Sequence, residues 1–394
     1  MLSSFAIIII FGLIGGIVFT KLKLPDLLGM LITGIIIGPY CLNLIGQDIL
    51  NISSDIRMIS LIVILLRAGL DLNVQKIKKI GKVSLKMSFI PCIIEGIIVI
   101  ICSMLFLDFT LIQGGMLGFI LAAVSPAVVV PMMLDIKEKG LGTDKHIPSL
   151  LLASTSVDDV FAITLFTAFM GIYFGSNVNM GIVFLKIPIS IIFGIFLGIC
   201  IGIILVKIFK KFHIRDTKKT LILVAISILL YCFEDFSKNV IPIASLIGIM
   251  SIGFAISEFR PVVAKRLSKK FNKVWILAKI LLFVLVGATV NINVALNSGL
   301  IGLLIIVIGL SGRALGVLIS THKSDLNFKE RVFCMIAYSP KATVQAAIGG
   351  VPLSMGVASG DIMLAIAVLS ILFTAPLGAI GIKNSSYKLL KKEY

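Results

Sequence analysis

The sequence predicts an all-α polytopic membrane protein of about 13 transmembrane helices, arranged as inverted six-helix repeats with two crossed broken helices. Three observations carry this expectation: an apolar composition, a series of long apolar runs whose connections alternate in charge, and a Ser-Pro interruption that occurs twice. Of 394 residues, 58% are hydrophobic and 14% charged, with a mean hydropathy of +1.13. A soluble domain carries about 25% charge, so this composition excludes that class.

The runs long enough to approach a span of roughly 20 residues lie at 4–20, 26–46, 58–70, 84–107, 112–134, 148–174, 180–206, 220–233, 239–257, 272–290, 297–320, 330–352 and 360–382. The third and eighth are short, and Gly and Pro interrupt the second and twelfth. The first lacks a basic flank and a small-residue cleavage site, so it reads as a span and not as a removed signal peptide. The chain then divides into repeat one (1–175), a linker helix (180–206), repeat two (220–382) and a basic tail (383–394), forming one membrane-embedded unit.

The formal charge of +17 is distributed by connection and not as a nucleic-acid patch. Lys21 and Lys23 occupy the first connection, Lys76, Lys78, Lys79 and Lys82 the third (with Lys86 just beyond), and Lys137, Lys139 and Lys145 the fifth. Lys207 to Lys219, Arg260 to Lys273, then Lys323, Lys329 and Arg331 continue the series, and the tail holds Lys383, Lys388, Lys391 and Lys392. The intervening connections contain only Arg57 and Lys238. The positive-inside rule therefore places the N-terminus outside and the C-terminus in the cytoplasm, which requires an odd number of spans. The expected location is the plasma membrane, with the lipid bilayer as partner and no nucleic acid.

Cys41, Cys92, Cys102, Cys200, Cys232 and Cys334 are scattered without CxxC spacing, which indicates neither a disulfide framework nor a metal cluster. His146, His213 and His322 fall in basic loops, where they read as solvated residues.

Ser125-Pro126 in the fifth run and Ser339-Pro340 in the twelfth are seven spans apart, so the two copies cross in opposite directions. Proline removes a backbone donor and obstructs the preceding turn. The freed groups are tolerated at membrane depth only inside protein or along a cavity. A single kink would be ordinary; a matched pair points to crossed half-helices whose ends offer oxygen ligands and partial charges to an ion.

Asp158 and Asp159 stand consecutively in the sixth run, where carboxylates are costly and mark ion or proton handling. Adjacent side chains on a helix diverge by about 100°, so both cannot aim squarely at one ion. One turn earlier Ser154 lies over Asp158 and Thr155 over Asp159, so each carboxylate is expected to have a hydroxyl on its own face, and both hydroxyls are expected in the cation- and proton-binding set. One aspartate is expected to be the direct ligand and the other a modulator. Glu95 and Arg313 sit mid-span in the fourth and eleventh runs, again seven apart, and are expected to form a structural ion pair. Lys341 in the second break can offset carboxylates or carbonyl ends. Arg67, Lys186 and Lys279 read as snorkelling charges.

These residues resemble the cation:proton antiporter superfamily, in its paired-aspartate branch, and most closely the NHA-type sodium/proton antiporters. The resemblance rests on Ser125 to Pro131, on Ser156-Val157-Asp158-Asp159 followed by Ala162-Ile163-Thr164, and on Pro340-Lys341-Ala342-Thr343-Val344-Gln345-Ala346, and it extends over essentially the whole chain. It implies a homodimer whose core domain moves in an elevator-like alternating-access cycle. It further implies Asp159 as carrier of Na+ or H+, Asp158 as its partner and Ser125 as an oxygen ligand, with no cofactor beyond the transported ions. Electrogenic relatives often have lysine where this chain has Arg313. Arginine does not release a proton, so electroneutral exchange of Na+ or Li+ for H+ is expected.

Rival expectations are a potassium/proton exchanger, a sodium-coupled solute symporter on a similar fold, and a channel. An intramembrane aspartyl protease recruiting Asp361 would need acids facing each other from different helices. The strong pair here is consecutive, so no enzymatic activity is expected.

Overall fold

The computed structural model describes residues 1–22, 24–71, 82–174, 180–212, 214–237, 243, 245–291, 294 and 299–391, with backbone only at 127, 131, 134, 156, 160, 180–188, 190, 191 and 235–237. The expectations placed on Lys23, Lys76, Lys78, Lys79, His213, Lys238 and Lys392, and on the Lys186 side chain, lie outside the described residues.

In chain order the helices are α1 (Leu2–Lys21), α2 (Asp26–Ile37), α3 (Gln47–Asn51), α4 (Ser53–Asp71), α5 (Lys82–Phe106), α6 (Leu111–Leu121), α7 (Pro126–Glu138), α8 (Ile147–Phe174) and α9 (Met180–Lys211). They continue with α10 (Asp216–Ser237), α11 (Ser245–Phe259), α12 (Pro261–Ala288), α13 (Gly299–Thr321), α14 (Phe328–Ala337), α15 (Thr343–Ile348), α16 (Val351–Ser354) and α17 (Gly360–Leu389). Seven described helices are long and apolar enough to cross a membrane. Side chains such as Ile10, Ile14 and Ile17 of α1, or Leu304, Leu315 and Ile319 of α13, stay exposed, as a lipid-facing surface requires. The protein is an all-helical, multi-pass membrane protein.

Each of the thirteen expected runs contains helix, but several boundaries differ. The second run stops at Ile37, before Gly38-Pro39, because Pro39 disfavours helix at the residue before it. α4 begins at Ser53, so Arg57 is a buried helical residue and not part of a connection. α12 starts at Pro261, which suits the first helical position, and Lys265 to Lys273 ride on its first turns instead of a loop. α17 runs on to Leu389, so Lys383 and Lys388 of the basic tail are helical.

The chain forms two compact units. One comprises residues 1–54, 80–166 and 280–394; the other comprises 55–79 and 167–279. Each therefore draws on both halves of the sequence. In the second unit, glycines permit backbone contact: a Cβ at Gly198 of α9 would lie 2.2 Å from the Gly248 carbonyl of α11. Ser268 donates to Asp71 at 2.8 Å within the same unit.

In the first unit the decisive contact is α5 against α13. Gly309, Gly312 and Gly316 recur at helical spacing on one face of α13, which also carries Arg313. Small residues there let two backbones approach; a Cβ at Gly316 would come 2.5 Å from Pro91 Cα of α5. That closeness brings Glu95 on α5 to Arg313. α8 is held to α5 by Ser154 and Ser84, whose hydroxyls are 2.8 Å apart, and by the Phe89 and Phe161 rings at 5.8 Å.

Candidate ion-binding site

The site is built where two helices stop short. α6 and α14 each begin at a capping box, Thr110 with Gln113 and Asn327 with Glu330, in which side chain and backbone satisfy one another reciprocally. α6 ends at Leu121 and α7 restarts at Pro126, with Ser125 extended at φ −84°, ψ 110° as its N-cap. The residue before proline avoids helical geometry, and Pro126 at the first helical position has no amide to leave unpaired. α14 ends at Ala337 and α15 starts at Thr343, with Ser339-Pro340 between them. The two breaks meet: the Ser125 amide donates to the Pro340 carbonyl at 2.7 Å. α17 steadies the second break, since the Lys341 amide donates to Thr374 Oγ1 at 2.8 Å.

Four charged side chains converge here. Arg313 Nε donates to Glu95 Oε2, and Lys341 Nζ donates to the same oxygen at 2.7 Å. The other arm of Arg313 reaches Asp158, with Nη2 3.2 Å from Oδ2 and Nη1 3.4 Å from Oδ1, and Nη2 also donates to the Ala122 carbonyl. Asp158 Oδ2 accepts the Val124 amide of the first break at 2.8 Å. Arg313 and Lys341 are 1% exposed, Glu95 2% and Asp158 0%. Two acids and two bases thus balance, and burial is tolerated because each charge has a partner and a hydrogen bond. The Tyr338 ring lies 5.3 Å from the Arg313 guanidinium carbon, a cation–π distance.

Asp159 is the fifth charge of this neighbourhood, and it stands apart. Its Oδ1 is buried with no hydrogen-bond partner among the described residues. The same condition holds for Ser125 Oγ at the N-cap of α7, Tyr338 Oη in the second break, and Thr343 Oγ1 and Gln345 Oε1 in the first turn of α15, as well as for Ser227 Oγ and Glu330 Oε1 elsewhere. Buried polar atoms are normally satisfied, so orphaned oxygens at and beside the breaks call for an explanation such as an ion or water. The Ser154 and Thr155 hydroxyls donate instead to the Leu150 and Leu151 carbonyls, at 2.8 and 2.9 Å. Among the described residues neither hydroxyl hydrogen-bonds to an aspartate.

Thr343 and Gln345 did not stand out in the sequence as site residues, although both lie in the stretch after Pro340. Gln345 Nε2 donates to the Ile120 and Ala123 carbonyls at 3.0 and 2.9 Å across more than 220 positions, which no local spacing announces. Together with Arg313 on Ala122, this gives the carbonyls at the end of α6 donors from within the protein. The carbonyl ends were the expected ligands; three of them, on Ile120, Ala122 and Ala123, each already accept a hydrogen bond from a side chain.

The remaining candidates lie elsewhere. His146 and His322 are exposed in loops, and Asp361 is exposed in the first turn of α17. Arg67 and Lys279 lie partly buried on α4 and α12. Cys92, Cys102 and Cys334 are buried, Cys41 and Cys232 exposed, and all the cysteines are free.

Known proteins are similar to this chain over nearly its full length. The family described as sodium/hydrogen exchanger, transmembrane, matches residues 6–384. Sodium/hydrogen exchanger 9B2 of Xenopus tropicalis is 33% identical over 407 residues, covering 96% of this chain and 73% of that protein. Human sodium/hydrogen exchanger 9B2 is 33% identical over 99% of this chain and 76% of its own length, and human 9B1 is 32% identical over 100% and 79%. Among solved structures, the sodium proton antiporter MjNhaP1 from Methanocaldococcus jannaschii superposes with a TM-score of 0.82 at 21% identity, covering 98% of this chain and 97% of that one. At that identity the likeness speaks to the fold.

Proposed function

Because the chain belongs to the transmembrane sodium/hydrogen exchanger family, a family of transporters and not enzymes, we propose that it exchanges Na+ or Li+ for H+ at Asp159. The carrying observation is the charge count: Glu95, Asp158, Arg313 and Lys341 sum to zero, and Asp159 adds one unpartnered carboxylate oxygen. A charge at membrane depth is costly. Either a proton or a monovalent cation on Asp159 cancels the surplus, so only a loaded site crosses cheaply, and the two loads compete for one place. Asp158 is a positioning residue, held by the Val124 amide and Arg313, and Ser125 Oγ is an oxygen ligand.

One carboxylate with one load per crossing gives one-for-one, electroneutral exchange, with the site open alternately to each side. Arg313, which keeps its proton, and the ion pair with Glu95 leave the proton to Asp159. The two capping boxes and the two Ser-Pro breaks favour an inverted repeat. The charge alternation of the connections favours an outside N-terminus and a cytoplasmic C-terminus in the plasma membrane, and the family likeness favours a homodimer.

The test is sodium-driven proton movement in proteoliposomes. Asp159→Asn, which preserves shape but keeps neither load, is expected to abolish it. Retained sodium-dependent flux in that variant would refute the assignment of the carrier.

A further inference from the structure

We propose that Gln345 determines which cation the site accepts: its amide withdraws the backbone carbonyls of the first break from the ion and offers its own oxygen in their place. This rests on the reading of Asp159 as the shared carboxylate. A helix that stops leaves its last carbonyls without amide partners, and at the end of α6 those are natural cation ligands. In this protein they are occupied. Gln345 Nε2 donates to Ile120 at 3.0 Å and Ala123 at 2.9 Å, with Leu121 at 3.4 Å, and Arg313 Nη2 donates to Ala122. An amide nitrogen carries two hydrogens, so Ile120 and Ala123 take them and Leu121 is a weaker third contact.

Carbonyls cannot donate, so the nitrogen of the Gln345 amide must face them and its oxygen must face away. That oxygen is buried without a partner among the described residues, as is Thr343 Oγ1 two positions before it. Gln345 itself is 0% exposed. A row of backbone carbonyls is the surface that replaces the hydration shell of a potassium ion. One carboxylate with a few side-chain oxygens makes a smaller, harder site. Gln345 converts the first kind of site into the second.

The experiment compares wild-type protein with Gln345→Met and Gln345→Leu in proteoliposomes, reading the KM for sodium and the ranking of proton flux driven by Na+, Li+ and K+. Methionine keeps the length but neither donates nor accepts strongly; leucine is likewise uncharged and has neither donor nor acceptor, so both leave the charge count of the site unchanged. The expected result is about a tenfold rise in the sodium KM, the scale of one lost polar contact, with potassium-driven flux rising several-fold relative to sodium. If Gln345→Met is not recovered folded, Gln345→Leu decides on the same two readouts. An unchanged KM and ranking overturns the proposal. So does an equal loss of maximal rate for all three cations, which is what a purely structural role would give. A wild-type protein inert to every cation would instead sink the carrier reading on which this one rests.

Discussion

Asp158 and Asp159 are neighbours in sequence with opposite circumstances in the fold. Asp158 is saturated by Arg313 and the Val124 amide; Asp159 keeps a buried oxygen without a partner. Helical geometry alone says that the two must differ, since their directions diverge by about 100°. Which one is tied down depends on the break 34 residues earlier in the chain, and no local pattern encodes that. Glu95 and Arg313 were legible because buried charges are rare in such a chain and fall seven spans apart. The sharing of Glu95 with Lys341, and the reach of Arg313 to Asp158, were not, because they depend on how α5, α8 and α13 converge. Removing one partner of a buried ion pair costs about 3–5 kcal/mol, so Arg313→Met is expected to lower thermal stability in detergent by that order. A melting midpoint equal to wild type would show that the network does not hold Glu95 and Asp158 as described.

At the scale of elements, the interrupted helices follow from chemistry visible in the sequence, Ser-Pro at each break, whereas the capping boxes at the start of α6 and α14 emerged only from the structure. The mutual contact of the breaks, Ser125 to Pro340, follows from packing. The glycines of α13 are the clearest link between pattern and site, since they let α5 approach closely enough for Glu95 to meet Arg313. A side chain at Gly316 would strike the Pro91 backbone. Overpacking of this kind costs about 1–3 kcal/mol. Gly316→Leu is therefore expected to lower the melting midpoint and to impair exchange together, whereas a stable variant with full exchange would remove α5–α13 closeness from the account. Helix ends were less legible: α12 and α17 run through basic residues that the charge pattern placed in a connection and in the tail, because lysine is a good helix former and its long stem can lie along the helix while the ammonium stays in water.

For the whole molecule, composition and the charge alternation of the connections were enough to read a polytopic membrane protein, and the family match agrees with that reading over residues 6–384. The division into two compact units was not legible, since each unit is assembled from separated stretches of chain. The central claim is that a balanced set of four charges leaves Asp159 alone to carry either a proton or a cation. Its most direct test is the rate of sodium-driven proton exchange in proteoliposomes with the membrane potential clamped at zero and then imposed with either sign. The account predicts the same rate in all three conditions and no potential generated by transport. A rate that rises with one sign and falls with the other, or a potential that builds during exchange, would show that a second group moves charge and would contradict it.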